Sequence, residues 1–131
     1  MILPTSIDHL VFRVASIKTT EVFYTALLGQ PAFKNEGAVL FVVGGTRLFF
    51  TAVTTPATHP YDKDEVGLNH IALGVPTLPD LQAISTQLDS TQLDSADIAH
   101  SGIKIDPHGG KEYIWLNDPD GFRVEFYLRE Q

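Results

Sequence analysis

The chain has 131 residues, nine basic and sixteen acidic, for a formal charge of −7, and it contains no cysteine. That balance argues against a nucleic-acid partner, whose affinity comes largely from clustered Lys and Arg, and leaves a small molecule as the expected ligand. No disulfide framework, no charged-then-apolar leader at Met1-Ile2-Leu3-Pro4-Thr5 and no apolar run of membrane-spanning length are present, so the expectation is a soluble, cytoplasmic, membrane-free protein in which residues 1–131 make one domain.

The first strand is expected over residues 7–14, where Leu10, Phe12 and Val14 face one side and His9, Val11 and Arg13 the other. Ser16 stands where an N-cap belongs, ahead of a helix over 17–28 with Phe23, Ala26 and Leu27 inward and Gly29 as its stop. Three strands are predicted next, near 31–34, 38–43 and 47–53, the last two joined through Gly44-Gly45. Residues 54–66 are rich in Thr, Pro and Asp without apolar period, which marks a linker.

The pattern then restarts. A strand over 68–75 puts Ile71, Leu73 and Val75 on one face and His70, Ala72 and Gly74 on the other. Pro79 suits the first turn of a helix whose Leu81, Ile84 and Leu88 recur at helical spacing. Strands over 103–105, 112–117 and 122–128 complete the series, with Asp118-Pro119-Asp120-Gly121 as the turn before the last. A tandem duplication, Ser85-Thr86-Gln87-Leu88-Asp89-Ser90 followed by Ser90-Thr91-Gln92-Leu93-Asp94-Ser95, is expected to lengthen the helix or its following loop.

Two alignments make this a repeat. Ile7-Asp8-His9-Leu10-Val11 matches Leu68-Asn69-His70-Ile71-Ala72, and Gly45-Thr46-Arg47-Leu48-Phe49-Phe50 matches Gly121-Phe122-Arg123-Val124-Glu125-Phe126. The class is therefore α+β, with two βαβββ units spanning about 6–53 and 67–129. With the helices on the apolar faces, His9, His70 and Glu125 all point to the opposite face, together with Arg13, Phe41, Phe49, Tyr113, Trp115, Arg123 and Tyr127, and also Val11 and Thr51. An aromatic wall with a few polar groups describes a small-molecule pocket. Two imidazoles and one carboxylate converging there form a facial triad for one divalent ion, Fe, Mn, Ni or Zn, with open positions left for substrate. The competing reading makes His9 and His70 half-buried strand histidines and pairs Glu125 with Arg123 or Arg13.

The phrases around Asp8-His9, Phe23-Tyr24 to Leu28-Gly29, Asn69-His70 and Asn117-Asp118-Pro119-Asp120-Gly121 to Glu125 resemble the vicinal oxygen chelate superfamily of glyoxalases, bleomycin-resistance proteins and extradiol dioxygenases. The resemblance implies a cupped, mostly antiparallel mixed sheet with helices on its convex face, and a homodimer. It implies metal ligands at His9, Phe49, His70 and Glu125, of which Phe49 cannot ligate; glyoxalase I enzymes usually carry an acid there. The remaining His/His/Glu set is that of extradiol dioxygenases and fosfomycin-resistance transferases, although Val11 stands where the latter use threonine. The dioxygenases' tyrosine acid aligns best with Trp115, leaving Tyr113 as substitute, and His108 in Asp106-Pro107-His108-Gly109-Gly110 loosely matches their loop histidine. His59 and His100 sit in polar, turn-like stretches and are expected at the surface. The resulting expectation is a metal-dependent dioxygenase, lyase or isomerase acting on a small substrate chelated through adjacent oxygens; the alternative is a metal-free drug-binding protein of the bleomycin-resistance type.

Overall fold

The structure, a computed structural model, describes residues 1–129. It divides after His59 into two compact units. Among the described residues no helix is long and apolar enough to cross a membrane.

The first unit runs β1 (His9–Val14), α1 (Ile17–Leu28), β2 (Phe33–Lys34), β3 (Ala38–Val43) and β4 (Thr46–Ala52). Ser16 is extended and its hydroxyl accepts the Thr19 N–H at 3.2 Å, while Gly29, at φ +85°, turns the chain out of the helix in a conformation that a β-carbon would strain. The sheet order is β1-β4-β3-β2, with β1 and β4 parallel and the other pairs antiparallel. α1 packs on β3 and β4 and buries Thr20, Phe23 and Tyr24. The Tyr24 ring lies 4.3 Å from that of Phe50, and Phe12 stacks on Phe50 from the edge strand at 4.9 Å. The helix thus turns Tyr24 inward, with Ala26 and Leu27 only half-buried beside it.

One strand face differs from expectation. In the β3–β4 ladder Phe41 pairs with Leu48, and Leu40 with Phe49. Phe41 is therefore under α1, 1 % exposed, with its ring 6.1 Å from those of Tyr24 and Phe50. It is a core residue and not a pocket wall; Leu40 holds the opposite face. The physical reason is that Ala38-Val39-Leu40-Phe41-Val42-Val43 is apolar throughout, and the larger ring fills the space beneath the helix.

The second unit repeats the plan as β5 (His70–Val75), α2 (Leu78–Ser90), β8 (Lys104–Ile105), β9 (Glu112–Asn117) and β10 (Arg123–Leu128), in the sheet order β5-β10-β9-β8. A small hairpin of β6 (Gln92–Leu93) and β7 (Ala96–Asp97) is inserted after the helix. Thr77 caps α2 by accepting the Asp80 N–H at 3.2 Å. Leu81 and Leu88 are buried on the α2 side, with Ile114, Leu116, Val124, Phe126 and Leu128 supplying the sheet's share of the core. Fully burying each such side chain contributes roughly 1.5–3 kcal/mol. The turn before β10 is built on Asp118, whose carboxylate accepts the N–H groups of Asp120 and Phe122, each at 2.9 Å.

The duplicated phrase adopts two conformations. Its first copy ends α2, and its second forms β6 and a turn in which Asp94 and Ser95 both have positive φ, +51° and +63°. His100, expected at the surface, has a side chain only 8 % exposed. It accepts the Gly102 N–H at Nδ1 and meets Asp89 through Nε2 at 2.7 Å, which ties the chain after the hairpin to α2.

Candidate metal and substrate site

The two repeats share their registers. His9 lies opposite Arg47 in the β1–β4 ladder, as His70 lies opposite Arg123 in the β5–β10 ladder. Two residues on, Val11 faces Phe49 and Ala72 faces Glu125, so Phe49 and Glu125 are equivalent positions. The side-chain partners also correspond: Asp8 Oδ2 is 2.7 Å from His9 Nδ1, and Asn69 Oδ1 is 2.7 Å from His70 Nδ1. Hydrogen bonding to His9, with Arg47 nearby, holds the Asp8 carboxyl below its ordinary range.

In the second repeat the sheet face away from α2 carries a cavity of about 810 Å³. His70 and Glu125 both line it, and Glu125, though a carboxylate, is buried. His70 Nε2 stands 3.5 Å from Glu125 Oε1. The other Glu125 oxygen accepts from Arg123 Nε at 2.9 Å, and the Arg123 guanidinium lies 4.6 Å from the centre of the Trp115 ring. Buried charge is thereby paired, as the low-dielectric environment requires.

The His70 tautomer follows from Asn69. Its Nδ2 donates to the Lys63 carbonyl at 2.8 Å, so its Oδ1 is the atom that faces His70 Nδ1 and accepts a hydrogen bond from the Nδ1–H. In the neutral imidazole Nε2 then carries a lone pair toward Glu125. A 3.5 Å separation is long for a hydrogen bond but close to the spacing of two donors that share one ion at bond lengths of about 2.1 Å. The pair is thus a chemically suitable half of a metal site. Among the described residues no group of three or more His, Cys, Asp or Glu side chains is placed to hold a metal ion.

The loop from Asp106 to Gly110 reaches over the same cavity. Asp106 accepts the His108 N–H at 2.9 Å and the Tyr127 hydroxyl at 2.8 Å, which holds its carboxyl below the usual carboxylate range and raises Tyr127. A β-carbon on Gly109 would collide with the Tyr127 oxygen, so glycine is what lets the loop close down. His108 is brought to the cavity rim by this loop, and Tyr113 joins Tyr127 with ring centres 6.1 Å apart.

Of the residues singled out from the sequence, His70, His108, Tyr113, Arg123, Glu125 and Tyr127 are gathered around this cavity, and Trp115 lies beside Glu125 on the same sheet face. His9, Arg13 and Phe49 share the corresponding face of the first repeat; Phe49 meets His9 edge-on at 5.8 Å, and Arg13 donates to the Ala52 carbonyl at 3.1 Å. Glu125 does pair with Arg123, as the competing reading had it, while it also faces His70. Three polar cavity residues do not follow from the sequence reading. Asn69 could have been found by matching it to Asp8 in the repeat, and Arg129 by carrying the β10 alternation two residues further; Asp106 had no such signal.

The Glyoxalase/Bleomycin resistance protein/Dioxygenase superfamily profile matches residues 6–126. The uncharacterized protein YaeR of Escherichia coli (strain K12) is 23% identical over 129 residues, covering 92% of this chain and 94% of YaeR. Among solved structures, the lactoylglutathione lyase from Agrobacterium tumefaciens superposes with a TM-score of 0.71 at 19% identity, over 95% of this chain and 94% of that one. A glyoxylase/bleomycin resistance protein/dioxygenase domain from Frankia sp. EAN1pec gives 0.74 at 17% identity, over 96% and 98%. At such identities the structural likeness is one of fold, and the family rests on the profile match over nearly the whole length. The chain belongs to the Glyoxalase/Bleomycin resistance protein/Dioxygenase superfamily.

Proposed function

We propose that the protein is a divalent-metal-dependent enzyme, dioxygenase-like or a lyase or isomerase, acting on a small substrate chelated through two adjacent oxygens. The observation that carries this reading is the His70–Glu125 pair, with Nε2 freed by Asn69 and turned toward a buried carboxylate in a cavity. The superfamily resemblance implies His9 as the third ligand, and the protein acts as a cytoplasmic homodimer. A bound Fe, Mn, Ni or Zn ion would supply Lewis-acid polarisation of the substrate oxygens.

The chain's own groups have separate tasks. Asn69 keeps the His70 proton on Nδ1, and Arg123 holds Glu125 in place while its guanidinium covers Trp115. His108, on the loop anchored by Asp106, takes or returns a substrate proton and Tyr113 donates one from its phenol, a reading supported by their lining of the same cavity. Phe49 and Trp115 are apolar walls, and Arg13, Arg123 and Tyr127 are polar contacts.

A second reading, a metal-free binder of planar molecules, is favoured by the first repeat. There Phe49 replaces the acid, and Val11 and Val42 are more than half exposed on the same sheet face. Metal content of purified protein separates the two. Stoichiometric metal, abolished in His70→Ala and retained in His108→Ala, supports the enzyme; metal that is absent after reconstitution, or unchanged in His70→Ala, overturns it.

A further inference from the structure

Along β10 and its continuation, residues 123, 125, 127 and 129 project to the cavity face. The first three are engaged: Arg123 with Glu125, Glu125 with Arg123 and His70, Tyr127 with Asp106. Arg129 is different. It lines the cavity, yet no hydrogen bond or ion pair joins its guanidinium to any described residue.

The carboxylates nearby are already committed. Both oxygens of Glu125 face other partners, and both oxygens of Asp106 accept, from the His108 N–H and the Tyr127 hydroxyl. The arginine is also held in place. Its backbone N–H donates to the Val75 carbonyl at 2.7 Å, extending the β5–β10 ladder, and its stem lies against Gly74, where a β-carbon would come within 3.3 Å of Arg129 Cγ. On β5 the cavity-facing residues shrink from His70 through Ala72 to Gly74, which leaves the floor open toward Arg129. In a chain of net charge −7, an exposed guanidinium that no described residue pairs, carried at the cavity on a stem seated against Gly74, has the charge and planar donor geometry that suit a planar anion.

We propose that Arg129 binds a carboxylate at the end of the substrate remote from His70 and Glu125. This rests on the chelating site proposed above and narrows its substrate to small molecules with two adjacent oxygens at one end and a carboxylate at the other. Positions 125 and 129 are four steps apart along β10 and its continuation, about 13 Å of backbone, so the carboxylate that faces His70 and the guanidinium belong to separate parts of the cavity lining. Gly74 belongs to the same device, because a β-carbon there would press on the arginine stem at 3.3 Å.

The test titrates three probes into the Mn-loaded full chain by calorimetry: dihydrocaffeate, which has both groups, ethylcatechol, which lacks the carboxylate, and phenylpropionate, which lacks the diol. Wild type is expected to bind dihydrocaffeate roughly tenfold or more tighter than ethylcatechol, the range of a hydrogen-bonded charge pair. Arg129→Ala removes that preference with ethylcatechol binding unchanged, and Arg129→Lys keeps part of it. Equal affinities in wild type, or a preference that survives Arg129→Ala, overturn the assignment. Failure of the chelating site reads differently. If ethylcatechol does not bind but phenylpropionate does, and weakens in Arg129→Ala, the metal site falls and the carboxylate site stands. If no carboxylate probe binds in a way that depends on Arg129, the carboxylate site falls.

Discussion

Asn69 sets the proton on His70: its amide nitrogen is fixed on the Lys63 carbonyl, its oxygen is 2.7 Å from Nδ1, and the remaining imidazole nitrogen faces Glu125. Outer partners of this kind typically change metal affinity by about 10–100-fold. Asn69→Ala is therefore expected to weaken metal binding by that order without unfolding the chain, measured by competition with a chromophoric chelator and by circular dichroism. Affinity equal to wild type would mean that the ring orientation does not depend on Asn69.

Phe41 and Phe49 lie one strand apart but on opposite faces, and truncation should tell them apart. Phe41→Ala opens a cavity between α1 and the sheet and is expected to cost about 3–5 kcal/mol in denaturant unfolding. Phe49→Ala, from a half-buried position, should cost clearly less. Equal losses would contradict the register in which Leu40, not Phe41, opposes Phe49.

These two residues also show where the sequence is informative. Strands that alternate, such as β1 and β10, reveal their faces, so the sequence alone puts His9, His70 and Glu125 on the side away from the helices. The helix bounds were legible at Ser16 and Gly29 because capping is local chemistry. A uniformly apolar strand carries no such code, and Phe41 was assigned to the wrong face for that reason. Asp106 was missed because its role depends on Tyr127, 21 positions away. His100 is buried although its local sequence is polar, because its partner, Asp89 of α2, stands 11 positions earlier and a local reading does not announce it.

Phe49 occupies the position equivalent to Glu125 and touches the His9 ring. Phe49→Glu adds a carboxylate beside a proposed ligand and should tighten metal binding by roughly tenfold or more, while impairing the reaction that the present site supports. The readout is metal affinity in parallel with ethylcatechol binding. If both stay at wild-type values, the first repeat contributes nothing to the ion.

The Asp106–Tyr127 bond has a defined pH window. Asp106 is held below the ordinary value, about 3.9, so its contribution is present above that pH and is lost as the pH falls through its lowered native value. Tyr127 is raised, so its contribution is present below about pH 10 and is lost as the pH climbs through the native value. Following the His108 amide by NMR should give an acid midpoint below the ordinary carboxylate value, moving upward in Tyr127→Phe. Gly109→Ala, which forces the loop off the Tyr127 oxygen, should move it the same way. A midpoint that neither substitution shifts would show that the loop is held by other contacts.

The duplicated phrase after Ile84 has a wider consequence. One copy is helical and ends soon after Leu88 reaches the core, while the other, identical in letters, is spent on an exposed reversal of the chain. The same letters thus take their conformation from their surroundings: the copy that lies in α2 brings Leu88 to the core, and the second copy, outside both the cavity lining and the four-stranded sheet, is left to reverse the chain where neither depends on it.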